Sequence, residues 1–329
     1  MSRKPHLDCE AGREAFVRIK DLAAATGEPI YNVATRYVLE RLLFRIFESP
    51  EEAVRRLFVT GRNDIPFDVS SITVKGGLTM TFAEDVPPLE GRSTGDADLH
   101  LAAFGGTMDD YAGILRNGLG GPPLTGPDDG VRFDVEAIRV ARDREEGTGG
   151  SLVIPGQVGQ LPIQVKTDVT FDARPMHDTA PVVPYPSIFP DSDLPPPRIR
   201  RVPFEFMVAD KFEAAVRYGM ANKRVRDYAD MRLVLGKGLV DPAFLAETLA
   251  ATMRFKGSEF PESMWDCPGF SDEFAQAKAS RWENEKVTKR FAIQDDFPAI
   301  MAWLREELEP VMQAAKEVDP LPGWAFGGR

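Results

Sequence analysis

Arg92-Ser93-Thr94-Gly95-Asp96-Ala97-Asp98-Leu99-His100-Leu101 is the stretch on which the reading of this chain turns. From Asp96 onward polar and apolar residues alternate, the pattern of a half-buried strand. Asp96 and Asp98 are two apart, so both carboxylates leave the same face. Two such carboxylates repel unless a cation sits between them. Hard divalent ions such as Mg²⁺ (or Mn²⁺) take oxygen ligands and keep positions open for phosphates. A water-bathed acidic strand would also fit Asp-x-Asp alone. Apolar Ala97, Leu99 and Leu101 between the polar positions, with Arg92 and Thr94 ahead of them, favour a metal site.

Upstream, residues 71–74 form a predicted strand that runs into Lys75-Gly76-Gly77. Glycines let the backbone approach a ligand and aim N–H groups at phosphate oxygens. A glycine pair by itself fits an ordinary tight turn better. Downstream, Asp168 lies in Ile163-Gln164-Val165-Lys166-Thr167-Asp168-Val169, an apolar alternation where a solvated charge is unusual. It is the expected third carboxylate, with Asp172 a weaker candidate. Three aspartates on adjacent strands can hold two ions, one activating a hydroxyl and one stabilising a leaving pyrophosphate.

Around these strands the chain divides into three parts, expected at 1–50, 51–178 and 179–329. The first is helical, over 10–25 and 30–48. The second is an α/β core with further strands at 56–60, 131–142 and 161–171. The last two of these are expected to pair through a glycine turn at 147–150. A short helix is expected at 111–116. Prolines crowd 179–197, which reads as an extended connection. The third part is helical, over 204–218, 225–235, 242–254, 272–288 and 297–315.

The 329 residues carry a net charge of −11, with 43% hydrophobic and 28% charged residues, as in a soluble globular protein. No apolar run approaches the ~20 residues that span a bilayer, and the polar start does not read as a secretory signal. Cys9 and Cys267 lack disulfide-scaffold or metal spacing and fit free thiols in a reducing cytoplasm. Basic charge is concentrated: 198–237 holds ten Lys and Arg against five Asp and Glu. Within it, Lys211 could neutralise charge on a triphosphate. Asp227 and Asp230 share a helix face, and on spacing alone surface ion pairs explain them better than a site does. The three histidines show no metal spacing. The four tryptophans fit packing roles, although an exposed one could stack on an RNA base.

Six segments in order resemble the AbiEii family of abortive-infection nucleotidyltransferase toxins. They are Tyr37-Val38-Leu39-Glu40-Arg41-Leu42-Leu43-Phe44-Arg45, Val74-Lys75-Gly76-Gly77, the 92–99 stretch, 162–169, Ala209-Asp210-Lys211-Phe212-Glu213-Ala214 and 222–230. The resemblance implies a DNA-polymerase-β-like nucleotidyltransferase core, a helical C-terminal domain, and transfer of a nucleotide from an NTP by a toxin paired with a DNA-binding antitoxin of the AbiEi type. By matching motif, Asp96 and Asp98 would hold metal, Gly76 and Gly77 the triphosphate, and Lys211 the nucleotide, while Asp227 would complete the site. Lys75, Arg92, Thr94 and Arg224 are further candidates for nucleotide contacts. The family's Ala-Glu-Lys reads Ala209-Asp210-Lys211 here, its Lys-Asp reads Arg226-Asp227, and Thr167 stands where an apolar residue usually precedes Asp168.

The expected acceptor is RNA, most simply a tRNA 3′ end, whose unpaired bases and free hydroxyl suit a basic surface. The competing readings are a transferase modifying a small molecule or a protein hydroxyl, and a non-catalytic NTP-binding protein.

Overall fold

A computed structural model describes residues 8–47, 71–83, 95–102, 104–143, 148–172, 174, 179–289 and 291–318. The strand expected at 56–60 and the residues Arg92 and Thr94 lie outside these. The architecture is mixed α/β with helical flanks, as expected.

Helices α1 (Glu10–Thr26) and α2 (Ile30–Phe47) form the N-terminal flank, separated where Gly27 takes the left-handed conformation (φ 72°). Nearly every residue of α2 from Val33 to Ile46 is buried, so its charges need internal partners. Arg45 makes a two-pronged contact with Asp129 at 2.7 and 2.9 Å, and Arg41 pairs with Glu40 at 2.5 Å.

The sheet comprises β1 (Ile72–Lys75), β2 (Asp96–Ala102), β3 (Val131–Phe133), β4 (Arg139–Asp143), β5 (Gly149–Val158) and β6 (Leu161–Asp172). Its order is β1-β2-β6-β5-β3, with β4 also pairing β5. Among the described strands of this sheet, β2 and β6 form the one parallel pair. Along β2 and β6, Ala97, Leu99, Leu101, Val165, Val169 and Phe171 pack with α1 and α2 in one core. The period of two therefore sends Asp96, Asp98, Asp168 and Thr170 to the opposite face. Helix α3 (Met108–Gly118) begins at a Thr107–Asp110 capping box.

Strand β5 corrects the sequence reading, which took 147–150 as a turn joining 131–142 to 161–171. Gly149 and Gly150 instead open a ten-residue strand that lies between those segments, and the hairpin to β6 turns at Gly159 (φ 54°). Segment 131–142 is itself broken into β3 and β4 by a 3-10 turn, Val135–Ala137. Pro155 is tolerated inside β5 because it falls where the outer partner changes from β4 to β3. Only its carbonyl is used there, accepting from the Asp134 N–H at 2.8 Å.

The proline-rich connection carries a two-stranded sheet, β7 (Val182–Pro184) and β8 (Arg198–Arg200). Beyond it come α4 (Phe204–Tyr218), α5 (Val225–Gly236), α6 (Pro242–Phe255), α7 (Asp272–Lys289) and α8 (Phe297–Glu317). These pack around a second core that includes Phe212, Tyr228, Phe274, Trp282 and Phe297. No helix among the described residues is long and apolar enough to cross a membrane.

Candidate active site

Register alone brings the sequence-predicted groups together on the open face of the sheet. Asp98 stands opposite Lys75 of β1 on one side and Asp168 of β6 on the other. Ser151 of β5 is level with Asp168 and donates a short hydrogen bond to its carboxylate. Asp96 is exposed, one step toward the start of β2.

Burial pushes the Asp98 carboxyl up. Lys75 and Lys211 pull it down, Asp168 and Asp96 push it up again, and the net direction is upward. The half-buried Lys75 ammonium donates to Thr170 Oγ1 at 2.7 Å. Burial lowers its pKa, against the pull of Asp210, Asp98 and Asp172. Opposite charges are thus packed close on a surface that water only partly reaches.

Gly76 follows Lys75 with φ 68° and opens a 3-10 turn, Gly76–Phe82. A Cβ added there would lie 1.8 Å from Asp98 Oδ2, so the backbone rests against the carboxylate. Gly76→Ala is expected to lower stability by about 1–3 kcal/mol through the left-handed backbone and the overlap. It should also displace Asp98 and lower transfer at least about a hundredfold. Thermal melts and a transfer assay check it, and near-normal activity would remove Gly76 from the cradle.

From the helical half, Lys211 Nζ on α4 donates to Asp227 Oδ1 at 2.5 Å and to Asp230 Oδ2 at 2.9 Å on α5. The three-residue spacing of the two aspartates is therefore used on a single lysine. Arg224 is exposed just before α5 begins.

A set of buried charges had no signal in the sequence. Asp172, at the end of β6, accepts from His100 Nε2 at 2.7 Å, and Arg174 joins it to Asp210. Burial pushes Asp172 up, but His100 and Arg174 more than offset this and hold it well below the usual carboxylate range. His100 is thus a paired structural histidine.

The basic segment is used differently from its raw count. Arg217, Arg226 and Arg232 pair with Glu213, Glu285 and Asp295 at 3.1–3.3 Å. Arg201 stacks on Phe82 and Phe204, and Lys237 donates to the Ala83 carbonyl. Lys223 and Arg224 remain exposed at the α4–α5 junction. The expected excess of free cations over 198–237 shrinks accordingly.

No group of three or more His, Cys, Asp or Glu side chains among the described residues is gathered to hold a metal ion. The donor set nonetheless fits one. Mg²⁺ is commonly bound through one or two carboxylates, with waters and substrate phosphates completing its shell. Asp96 and Asp98 supply such a pair on one face of β2, with the Gly76 backbone packed against Asp98.

With this geometry in place, the comparisons are specific. A model of the family described as nucleotidyl transferase AbiEii toxin, type IV toxin–antitoxin system, matches residues 61–317. No curated protein matches the chain. Among solved structures, MenT4, a nucleotidyltransferase toxin from Mycobacterium tuberculosis H37Rv, superposes with a TM-score of 0.51 at 12% identity, over 92% of this chain and 90% of that one. JHP933 from Helicobacter pylori gives a TM-score of 0.42 at 11% identity, over 82% and 95%. The first likeness shows the fold.

Proposed function

Because the chain belongs to the AbiEii family of nucleotidyltransferase toxins, we propose that it transfers a nucleotide from an NTP to an RNA acceptor, a tRNA 3′ end, with Mg²⁺ held by Asp96 and Asp98. The observation that carries this reading is the register that sets Asp98 between Lys75 and Asp168, over Gly76 and within the field of Lys211.

In the reaction the acceptor hydroxyl oxygen bonds to the α-phosphorus, and its proton passes to solvent water. The bond to the β-phosphate oxygen breaks, and pyrophosphate leaves. A bound divalent ion supplies charge neutralisation for both oxygens. The chain does the rest. Asp96 and Asp98 would fix the ion, and Asp168, level with Asp98 on β6, would add its negative charge beside them. Gly76 and Gly77 let the triphosphate approach the backbone. Lys75 and Lys211 offset the charge that grows on pyrophosphate. Asp227 holds Lys211 in place, and Arg224, with Arg92 and Thr94, contacts the nucleotide. An AbiEi-type antitoxin is the partner this reading implies.

Lys223 and Arg224 support the RNA acceptor. They are exposed one helical turn from Asp227 in a chain of net charge −11, where unpaired surface cations are what phosphates recognise. Labelled NTP with Mg²⁺ and total RNA tests the reading. Label should enter RNA, and label in a small molecule or protein would overturn the acceptor. Lys223→Ala is expected to flatten the salt dependence of RNA binding by about 0.7 in slope, the value of one phosphate contact on a single strand. Binding curves at several salt concentrations check this, and an unchanged slope would place the RNA track elsewhere.

A further inference from the structure

We propose that Arg174 is a positioning residue: it clamps α4, which carries Lys211, to β6, which carries Asp168. The inference rests on the reading that Lys211 acts on the NTP.

Arg174 is 4% exposed and stands just past the end of β6. Its Nη2 and Nε donate to Asp172 Oδ2 at 2.9 and 3.1 Å, and its backbone N–H donates to Asp172 Oδ1 at 3.0 Å. The third prong, Nη1, donates to Asp210 Oδ1 on α4 at 2.6 Å. The guanidinium also lies 5.2 Å over the Phe255 ring at the end of α6. Each carboxylate has a second partner as well: His100 of β2 meets Asp172 Oδ1, and Lys256 meets Asp210 at the same Oδ1 that Arg174 uses, at 2.7 Å. One planar fork therefore ties two strands of the sheet to two helices of the C-terminal half.

The position of the clamp matters more than its strength. Asp210 directly precedes Lys211. Asp172 is four residues along β6 from Asp168, on the same face. Fixing the Asp210–Asp172 separation thus fixes where α4 presents Lys211 over Asp98. Buried ion pairs contribute little net stability against an apolar replacement, so geometry is the better account of why charges are kept here. The guanidinium meets the two carboxylates through separate N–H groups fixed in one plane, a directional geometry that the point charge of a lysine ammonium does not impose.

The test is a kinetic double-mutant cycle on the full chain with Arg174→Lys, Lys211→Met and the pair. Thermal midpoints and near-UV circular dichroism are recorded on each. Arg174→Lys is expected to remain folded and to lose about a hundredfold in kcat, the cost of a misplaced group. Its KM for NTP should stay within about threefold, as for an interaction expressed in the transition state. Adding Arg174→Lys to Lys211→Met should lower kcat no further, because a residue acting through Lys211 has nothing left to position. A kcat unchanged by Arg174→Lys, or losses that multiply in the pair, would overturn the clamp and leave the reading of Lys211 standing. A Lys211→Met chain as active as wild type would overturn both. If Arg174→Lys does not fold, Asp172→Asn loosens the same clamp from the strand side and must show the same non-additivity.

Discussion

Asp98→Asn is expected to lower nucleotide transfer by about a thousandfold, equivalent to about 4 kcal/mol of transition-state stabilisation, while raising the thermal midpoint at neutral pH. The activity loss follows from removing one of the two carboxylates proposed to fix the ion, beside the phosphates that its charge must offset. The stability gain follows from the sign of the Asp98 shift. Burial raises its pKa, and Asp168 and Asp96 add to this against Lys75 and Lys211. A carboxyl raised in the fold binds its proton more tightly there than in the unfolded chain. Folding stability therefore falls as pH rises through the interval between the unfolded and folded values, and the penalty is complete above it. Asparagine fills nearly the same volume and carries no such penalty. The midpoint of the variant should match wild type near pH 3 and exceed it at pH 7. Melts across that range and a labelled-NTP assay decide. A variant that keeps its activity would take Asp98 out of the metal site, and one that melts lower at pH 7 would show that Lys75 needs the Asp98 charge more than Asp168 resents it.

What the sequence disclosed is tied to locality. Helix α4 was legible to its end residues, because its apolar positions recur at helical spacing between Pro203 and Gly219. Asp96 and Asp98 were legible because a strand of period two fixes their shared face whatever lies around it. Strand β5 was not, since Gly149, Gly150, Pro155 and Gly156 are turn formers by propensity. Pairing with β6 over its whole length overrides that propensity. The buried network was invisible for another reason. Arg174 reaches Asp210 across 36 positions and His100 meets Asp172 across 72, and no local pattern marks such partners. The basic segment misled in the same way. Its charge count was correct, but Glu285 and Asp295, far along the chain, neutralise Arg226 and Arg232. Asp227 and Asp230 were seen to share a face, while the lysine they share lies on another helix.

Lys211→Met is expected to reduce kcat/KM for NTP by about a hundredfold and to destabilise the fold, and the two effects have separate origins. The kinetic loss comes from one charge-assisted contact to the triphosphate, on the order of 2–4 kcal/mol in a shielded site. The stability loss comes from the carboxylates left behind. Lys211 is the shared partner of Asp227 and Asp230, and the Asp230 side chain is only 3% exposed. Removing one member of a buried pair takes the countercharge from the other, at a cost of about 3–5 kcal/mol. Adding Asp230→Asn removes the buried negative charge that Lys211 had countered and should restore part of the thermal midpoint. It should restore none of the activity, because no cation returns to the phosphates. That split separates a lysine that acts on substrate from one that only pins α4 to α5. Melts and steady-state kinetics on Lys211→Met and on the double variant read it directly. If activity returns together with the midpoint, Lys211 is a structural pin, and the charge that meets pyrophosphate must come from Lys75 alone.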